Sequence, residues 1–556
     1  MKNLFKYISI VFIAGALLNS CETTDLDLRV SPNDLASDQA DPNLLLTSVQ
    51  LAYGTNQQAL SDISAELTRI DYMFGRNYFN NYPGSDLNGT WGRTYSSNGN
   101  GVGDGVSIGI LTNLQNLEAL NEDPEVDLGF HVAVAKTLYA HSLIQLVDFV
   151  GAAAFSEAGN PAEFPAPNLD SGEEVYAAAL GLLDEAESLF AADPNTIGAV
   201  DIFYNEDISK WEKLVNTIRL KAYYTTGNVA AFNQVIAGNN FISDPADDFF
   251  LQYGTSELQP DNRHPDFAAD YTPSGANIYQ SNWIMELMLN NDDPRIRYYF
   301  YRQVDATPGA DAPPSEEDLA CSLAVPPQHY IDGGFTYCSV PNGYWGRSHG
   351  NNEGTPPDNF KRAAVGVYPA GGRFDDSSFG EVGLGLGGGG AGIEPIFMSS
   401  YVDFWRGMMA SSDADRANFM RSGLVKSIAT VQTFGALDSG ADQTTAPTPD
   451  DVSDYIDGIV ADFNAATGDA KENIYAEQYF TTLYGGATEA WVYYRLTGFP
   501  TTLLPNWEAQ PGPFPRTLLY PQNEVVTNAG LTQKETLTEQ VFWDTNPASP
   551  TFPPAN

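Results

Sequence analysis

The chain has 556 residues, and its 71 acidic and 27 basic side chains give a formal net charge of −44. This excess of negative charge argues against a nucleic-acid partner, because phosphate binding needs basic patches. It also opposes adsorption to anionic lipid. Solubility alone accounts for such a charge, so it does not identify a ligand.

The first residues predict an export signal followed by a lipid anchor. Two lysines precede an apolar run from Tyr7 to Leu18, which is shorter than the roughly 20 residues that span a bilayer. Ser20 and Cys21 then form the small-residue and cysteine pair of a bacterial lipoprotein cleavage site. We predict a signal peptide over residues 1–20 and acyl chains on Cys21. The alternative is an ordinary signal peptide with a chance cysteine.

The rest of the chain predicts a helical scaffold that carries long loops. After a polar tether over residues 21–40, apolar residues recur every three or four positions in several segments, as in amphipathic helices. The predicted helices are Ala40–Tyr53, entered through Asp41 and Pro42, then Val132–Val150, Val175–Leu189, Trp211–Ala222, Val452–Phe463, capped from Thr448, and Ile474–Leu496. Irregular stretches are predicted at Tyr72–Gly105, Ser243–Ser281, Ser377–Ile393 and from Gly498 onward. No linker divides the chain, so we predict one large domain over residues 41–556.

The search for catalytic and metal-binding motifs gives no candidate. The sequence has no GxSxG, HExxH, CxxC or P-loop pattern. Gly383, Gly385 and Gly388 match GxGxxG, but they lie in a glycine-rich run with no apolar strand before it, which favours a flexible loop. No two of the five histidines have metal-ligand spacing, and no pair among the 71 acids stands out for glycoside hydrolysis. We therefore predict no catalytic residue, no metal and no cofactor.

The segment Gly343–Asp376 is rich in aromatic residues, glycine and proline, and we interpret it as a long ordered loop. Cys321 and Cys338 lie just before it. Outside the cell such a pair tends to be oxidised, and closing a loop of about 17 residues contributes about 3 kcal/mol in the chain-entropy model. We predict a disulfide between them that braces the entry to this loop.

Two stretches have the composition of a sugar-binding surface, in which aromatic rings stack on the apolar faces of the sugar and amides bind its hydroxyls. The first runs from Arg76 to Tyr95 and the second surrounds Tyr344. The candidate ligand-binding residues are Tyr78, Tyr82, Trp91, Tyr95, Tyr344 and Trp345. The alternative is that these aromatic residues form the core of their loops.

Nine short segments carry a resemblance to a known family. They are LVDFVGAAAFSEA, WEKLVNTIRLKA, NRHPDF, DDPRIRYYF, GYWGRSHG with EGTPPD, GVYPAGGRFD, EAWVYYRLTGFP, FPRTLLYPQNE and VFWD. In order and spacing, the chain resembles the SusD/RagB-like nutrient-binding outer-membrane lipoproteins from about Asp41 to Asp544. It is most similar to the branch with the GYWGRSHG and GVYPAGGRFD segments.

The resemblance implies a mostly α-helical fold, with tetratricopeptide-like helix pairs, a loop-rich lobe and few short strands. It also implies a non-enzymatic lid over a SusC-like TonB-dependent transporter, which captures an oligosaccharide or, in some members, a peptide. The acidic residues after Cys21 resemble the export signal that places Bacteroidetes lipoproteins on the extracellular face of the outer membrane. A surface glycoside hydrolase and an adhesion component remain as alternatives.

Overall fold

A computed structural model describes residues 40–75, 77–96, 109–196, 198–305, 325–337, 339–353 and 358–555. Pro42–Asn556 forms one compact unit. Within the described ranges, no helix combines the length and the apolar character needed to cross a bilayer.

The described chain is mostly helical, which confirms the predicted fold class. In chain order the α-helices are α1 (Pro42–Leu67), α2 (Tyr78–Asn81), α3 (Asn88–Tyr95), α4 (Leu111–Leu120), α5 (Gly129–Val150), α6 (Gly172–Ala191), α7 (Ile208–Thr225), α8 (Val229–Gly238), α9 (Pro265–Asp270), α10 (Asn282–Asn290), α11 (Ile296–Tyr299), α12 (Gln328–Gly333), α13 (Ser399–Met408), α14 (Asp413–Thr433), α15 (Pro449–Ala465), α16 (Asp469–Thr482), α17 (Thr488–Thr497) and α18 (Gln522–Thr527). Many consecutive helices pack on each other, among them α5 on α6, α7 on α8, α13 on α14 and α14 on α15.

The described strands are short and form two-stranded antiparallel sheets. They are β1 (Ala152–Ala153) with β2 (Asp170–Ser171), β3 (Phe249–Gln252) with β8 (Ile393–Phe397), β4 (Phe300–Tyr301) with β7 (Ala364–Val365), and β5 (Ser339–Val340) with β6 (Tyr344–Trp345). In β3 and β8, Phe249 lies opposite Phe397 and Gln252 opposite Ile393. The pairs β3 with β8 and β4 with β7 join segments that are distant in sequence, so they connect separate parts of the loop-rich region.

Helix α5 differs from the amphipathic helix that its spacing predicts. All 22 of its residues are buried, because it packs against α1, α4, α6 and α7. A helix that is apolar on every side belongs in the interior, and its polar side chains must then find partners there. Asp148 does so, since it forms an ion pair with the buried Lys221 of α7 and accepts from the indole Nε1 of Trp543 at 2.9 Å.

Two other helix predictions have the wrong limits. The helix predicted for Ala40–Tyr53 continues to Leu67 as α1. The single helix predicted for Ile474–Leu496 is two helices, α16 and α17, separated by a turn. Gly485 in that turn has φ +85°, and a side chain there would also meet the ring of Pro369, so the chain bends where only glycine fits.

The loop Gly343–Asp376 is ordered over its described part, as predicted. Tyr344 and Trp345 are buried in β6, and Phe374 is buried against Tyr298 with ring centroids 4.8 Å apart. The stretch Tyr72–Gly105 is less irregular than predicted, because it contains α2 and α3. Those two helices position the first candidate site.

Candidate functional site

The first candidate site is a cavity of about 440 Å³ between α3 and α18, which we call the aromatic pocket. Its lining residues are Asn88, Trp91, Gly92, Tyr95, Ser96, Pro521, Gln522, Asn523, Glu524, Val526 and Thr527. One wall is therefore a stretch that the sequence singled out, and the other comes from the C-terminal region.

Helix α3 places Trp91 and Tyr95 four residues apart, so their rings lie on the same helix face. The ring centroids are 4.9 Å apart, and the planes are inclined by 51°. The Tyr95 hydroxyl donates to the carbonyl of Ala154 at 2.7 Å, which fixes the ring. The backbone N–H of Asn523 donates to Oδ1 of Asn88 at 3.0 Å and holds the two walls together.

The aromatic pocket combines two rings with an amide and carboxylate rim. Trp91 is 7% exposed, so only a small part of its side chain reaches the cavity. Gln522 and Asn523 are exposed on the opposite wall. Aromatic surface beside amide groups suits a ligand with both apolar faces and hydroxyls.

The second candidate site is a smaller cavity, of about 180 Å³, which we call the acidic pocket. Its lining residues are Asp62, Glu66, Asp71, Tyr72, Asp266, Ile278, Tyr279, Gln280, Val365, Pro369, Ala370, Tyr484 and Gly485. Four carboxyl groups and three tyrosines thus line a space of limited size.

Helix α1 supplies two of these carboxyl groups. Asp62 and Glu66 are one turn apart and share a face, and Asp71 follows shortly after the helix ends. The Tyr82 hydroxyl donates to Oε2 of Glu66 at 3.0 Å. Tyr82, one of the predicted binding residues, thus lies behind the acidic pocket and orients one of its acids.

Burial and crowding of like charge raise the pKa values in this region. Burial raises the pKa of Glu66 to about 8, and the nearby Asp71 adds to the shift. Burial followed by the charge of Asp266 raises the pKa of Asp71 to about 7. Glu394 on β8 has its pKa raised well above the usual range by burial and by the charges of the pocket. The acidic pocket therefore holds protons near neutral pH.

A cation–aromatic stack closes one side of the acidic pocket. The ring of Tyr279 has the guanidinium of Arg362 at 3.7 Å and that of Arg347 at 4.3 Å from its centroid. Its hydroxyl lies 3.0 Å from the carboxylate of Asp358. Tyr72 meets Tyr279 edge-on at 5.7 Å between centroids. These contacts hold the tyrosine wall rigid.

The structure separates the six predicted binding residues into two groups. Trp91 and Tyr95 line the aromatic pocket. Tyr78, Tyr82, Tyr344 and Trp345 are buried, so they contribute to packing whether or not a ligand reaches them. The hydroxyl of Tyr78 accepts from Nη2 of Arg69 at 3.0 Å, which ties α2 to the end of α1.

The three cysteines lie outside the described residues. Lipidation of Cys21 and the disulfide between Cys321 and Cys338 therefore stay predictions. Peptide mass spectrometry without reduction tests the disulfide, and free thiols at both positions would contradict it.

Sequence reasoning did not select the residues of the acidic pocket. Its walls come from separate segments around Asp62, Asp266, Tyr279, Ala370 and Tyr484. One local signal was present, because Asp62 and Glu66 have helical i, i+4 spacing and no basic residue lies between them. Nothing in the sequence distinguishes this pair from many other acids.

Among the described side chains, no three His, Cys, Asp or Glu residues converge to hold a metal ion. His141, His264 and His349 are buried, and burial lowers the pKa of each. A helical scaffold that presents two polar pockets on its loops has the architecture of a ligand-binding protein.

Comparison with known proteins identifies the family. Residues 37–311 match a SusD-like family model described as starch-binding and associating with the outer membrane. A chitin-binding protein of known structure is similar over 91% of this chain and 100% of its own, with 18% identity and a TM-score of 0.61. A SusD/RagB family protein from Bacteroides thetaiotaomicron is similar over 92% and 100%, with 16% identity and a TM-score of 0.60.

A chitin-binding SusD homologue from Flavobacterium johnsoniae is also similar, over 91% of this chain and 99% of its own, with 16% identity and a TM-score of 0.56. None of the curated proteins compared matches the chain. Residues 37–311 therefore belong to the SusD-like family, and the solved structures show the same fold over most of the chain.

Proposed function

We propose that this protein is a cell-surface nutrient-binding lipoprotein. It captures an oligosaccharide at the extracellular face of the outer membrane and passes it to a SusC-like TonB-dependent transporter, without turning it over. The family assignment supports the nutrient-binding role, since the matching family model is described as starch-binding and outer-membrane associated. Two structurally similar proteins are described as chitin-binding, which supports a glycan as the ligand class.

The observation that carries the glycan proposal is the aromatic pocket. Trp91 and Tyr95 line this pocket together with Asn88, Gln522 and Asn523. Sugar rings have apolar C–H faces that pack on aromatic rings, and their hydroxyls need amide and carboxylate partners. A volume of about 440 Å³ admits part of an oligosaccharide chain.

Calorimetric titration with starch and chitin oligosaccharides tests the proposal. Losing a ring contact of about 1.4 kcal/mol corresponds to a tenfold loss of affinity, so Trp91→Ala is expected to weaken binding about tenfold. Trp91 also packs in the core, so Gln522→Ala serves as a second variant that changes only an exposed rim residue. Phe79→Ala, an exposed aromatic residue that lines neither pocket, is the matched control and should bind like the wild type.

Three outcomes would overturn the ligand assignment. Unchanged affinity in both pocket variants would exclude the aromatic pocket as the glycan site. Binding of peptides but of no oligosaccharide would favour the peptide-binding alternative. Release of shorter sugars by the purified protein would favour the hydrolase alternative.

The membrane anchor and the transporter are tested in cells. Cys21→Ser is expected to move the protein from the outer-membrane fraction to the soluble fraction, because acyl chains on Cys21 would be its attachment. Affinity purification of the tagged, anchored protein should recover a TonB-dependent barrel. Retention of the Cys21→Ser variant in the membrane would contradict the anchor, and purification without a barrel would contradict the partner.

A further inference from the structure

The acidic pocket gathers carboxyl groups that lack cationic partners. Among the described residues, no lysine or arginine lies within ion-pair distance of Asp62, Glu66 or Asp71, or of the nearby Glu394, which does not line the pocket. Asp266 has only the ring of His264, with Nδ1 3.9 Å away, and burial keeps the pKa of that imidazole low. Asp62 is exposed and Glu66 and Asp71 are half-buried, and acids gathered this closely without a cation repel one another.

A second observation points to a ligand. Gln280 lines the acidic pocket and is 3% exposed. Its Oε1 accepts from the Tyr484 hydroxyl at 3.3 Å, whereas its Nε2 has no hydrogen-bond partner among the described atoms. A buried amide donor left unpaired is costly, and a ligand oxygen in the pocket would satisfy it. Oε1 of Glu394, which is 2% exposed, is likewise without a partner.

The guanidinium groups beside the acidic pocket form their hydrogen bonds with other residues. Arg362 donates to Oδ1 of Asp358 at 2.5 Å, and Arg347 donates to the carbonyls of Asn351 and Glu353 at 3.2 and 3.0 Å. Both stack on the faces of Tyr279. They form the side of the pocket and leave its carboxyl groups without a counter-ion.

Geometry also limits the kind of cation. In the described part of the chain, no three carboxyl or histidine groups converge as ligands of one metal ion. The acids therefore line a cavity and do not meet at a single ion position. That space, about 180 Å³, is small beside the roughly 300–1,000 Å³ of drug-sized ligand sites. It suits a single ring with a charged substituent.

We propose that the acidic pocket binds one hexosamine unit with a free amine, whose ammonium group is held by Asp62, Glu66 and Asp71 and whose hydroxyl oxygen accepts from Nε2 of Gln280. This inference rests on the proposed glycan-binding function and specifies a sugar chemistry within it. An ammonium group donates charge-assisted hydrogen bonds, which are about twice as strong as neutral ones. Its positive charge favours the ionised form of the carboxyl groups, so binding near neutral pH releases the protons that Glu66 and Asp71 carry. A lysine side chain would satisfy the carboxylates but has no oxygen to accept from Gln280.

Ligand-observed NMR titration compares three small probes in 0.15 M salt at pH 7, close to the pKa of Asp71. The probes are glucosamine, N-acetylglucosamine, which has the same ring without the charge, and butylamine, which has the charge without a ring or an oxygen. The salt suppresses non-specific attraction to the negative protein. Glucosamine is expected to bind about tenfold more tightly than either of the others, since a charge-assisted hydrogen bond contributes at least about 1.5 kcal/mol.

Variants distinguish binding at the acidic pocket from non-specific attraction to the negatively charged protein. Asp71→Asn should reduce the preference for glucosamine over N-acetylglucosamine at least fivefold. Gln280→Leu should weaken the binding of both sugars and leave that of butylamine unchanged, because butylamine has no oxygen to accept from Gln280. The matched control is Asp454→Asn, which removes an exposed acid on α15 and should leave every affinity as in the wild type. Retained oligosaccharide binding at the aromatic pocket shows that each variant is folded.

Each outcome of these titrations supports or contradicts the hexosamine inference. Equal affinity for the two sugars, or equal effects of Asp71→Asn and Asp454→Asn, would overturn the inference. Equal affinity for butylamine and glucosamine would show that an ammonium group is bound without a sugar, and would overturn the hexosamine assignment. If oligosaccharides bind through Trp91 but glucosamine shows no preference, only this inference fails. If no sugar binds at all, the proposed function fails with it.

Discussion

At the residue scale, one buried arginine holds the C-terminal segment together. Arg516 and Asp544 form a fully buried ion pair, and Nη1 of Arg516 also donates to the carbonyls of Pro547 and Phe552 at 2.8 and 3.1 Å. Removing one member of such a pair leaves a buried charge without compensation. We predict that Arg516→Ala lowers the free energy of unfolding by about 3–5 kcal/mol in urea titrations.

An exposed ion pair provides the comparison. Arg421 and Asp457 lie 2.6 Å apart, with side chains that are 41% and 60% exposed. Water screens this pair, so Arg421→Ala should cost less than about 1 kcal/mol. Similar losses for Arg421→Ala and Arg516→Ala would show that burial does not decide the contribution of these arginines.

The candidate binding residues show that aromatic composition locates a candidate stretch but does not separate ligand-site residues from core residues. The sequence singled out Trp91 and Tyr95, and both line a pocket. It grouped them with Tyr78, which lies in the same stretch but is buried under Arg69 and beside Phe514. Aromatic content marks both ligand sites and loop cores. Only the packing of distant segments decides which role a given ring has.

At the element scale, the cap of α15 was predicted and is confirmed. Oγ1 of Thr448 accepts from the N–H of Asp451 at 3.2 Å, and the Asp451 carboxylate accepts from the N–H of Thr448 at 2.8 Å. This reciprocal capping box satisfies donors that the first helical turn leaves unpaired. Thr448→Ala is expected to destabilise the protein by about 1 kcal/mol.

Hydrogen exchange of the α15 amides, together with thermal unfolding, measures this effect. Ser453→Ala is the control, because Ser453 is exposed inside the same helix and alanine is the better helix former there. The control should be neutral or slightly stabilising. Faster exchange in both variants would indicate that loss of a hydroxyl, not loss of the cap, explains the result.

Local signals account for the helices that the sequence predicts well and for those it misplaces. Caps and apolar periods found α6, α7 and α15. The break between α16 and α17 had a signal in the paired glycines after Tyr484, which the apolar pattern outweighed. Strands β3 and β8 pair across more than 140 residues, and such short non-local strands have no period to detect.

At the scale of the whole molecule, the acidic pocket exists only because distant segments meet. Helix α1, the loops near Asp266 and Tyr279, and the turn at Gly485 each supply part of it. No window of the sequence contains the pocket, so its charge and shape could not be predicted before the fold. The packing of these segments also buries carboxyl groups, and their shifted pKa values make the stability of the molecule depend on pH.

Several buried carboxyl groups share this dependence. Burial raises the pKa of Asp71, Asp248, Asp270 and Glu489 to about 7. The folded state then binds protons that the unfolded state has already released, so stability falls as pH rises from about 4 to about 7. The buried histidines act in the opposite sense and only below their ordinary pKa, because their lowered pKa values cost stability as pH falls.

Comparing the Asp71→Asn variant with the wild type isolates the contribution of one carboxyl group to the pH dependence of stability. Asp71→Asn removes a carboxyl whose pKa is about 7 when folded and 3.8 in its ordinary state. The variant should match the wild type near pH 4, gain relative stability as pH rises, and reach a constant advantage above about pH 7. The advantage is at most a few kcal/mol, at about 1.4 kcal/mol per pKa unit. Melting temperatures from pH 4 to 8 measure it, with Asp454→Asn as the exposed control. A difference between Asp71→Asn and the wild type that stays constant across this range would show that Asp71 titrates alike in both states.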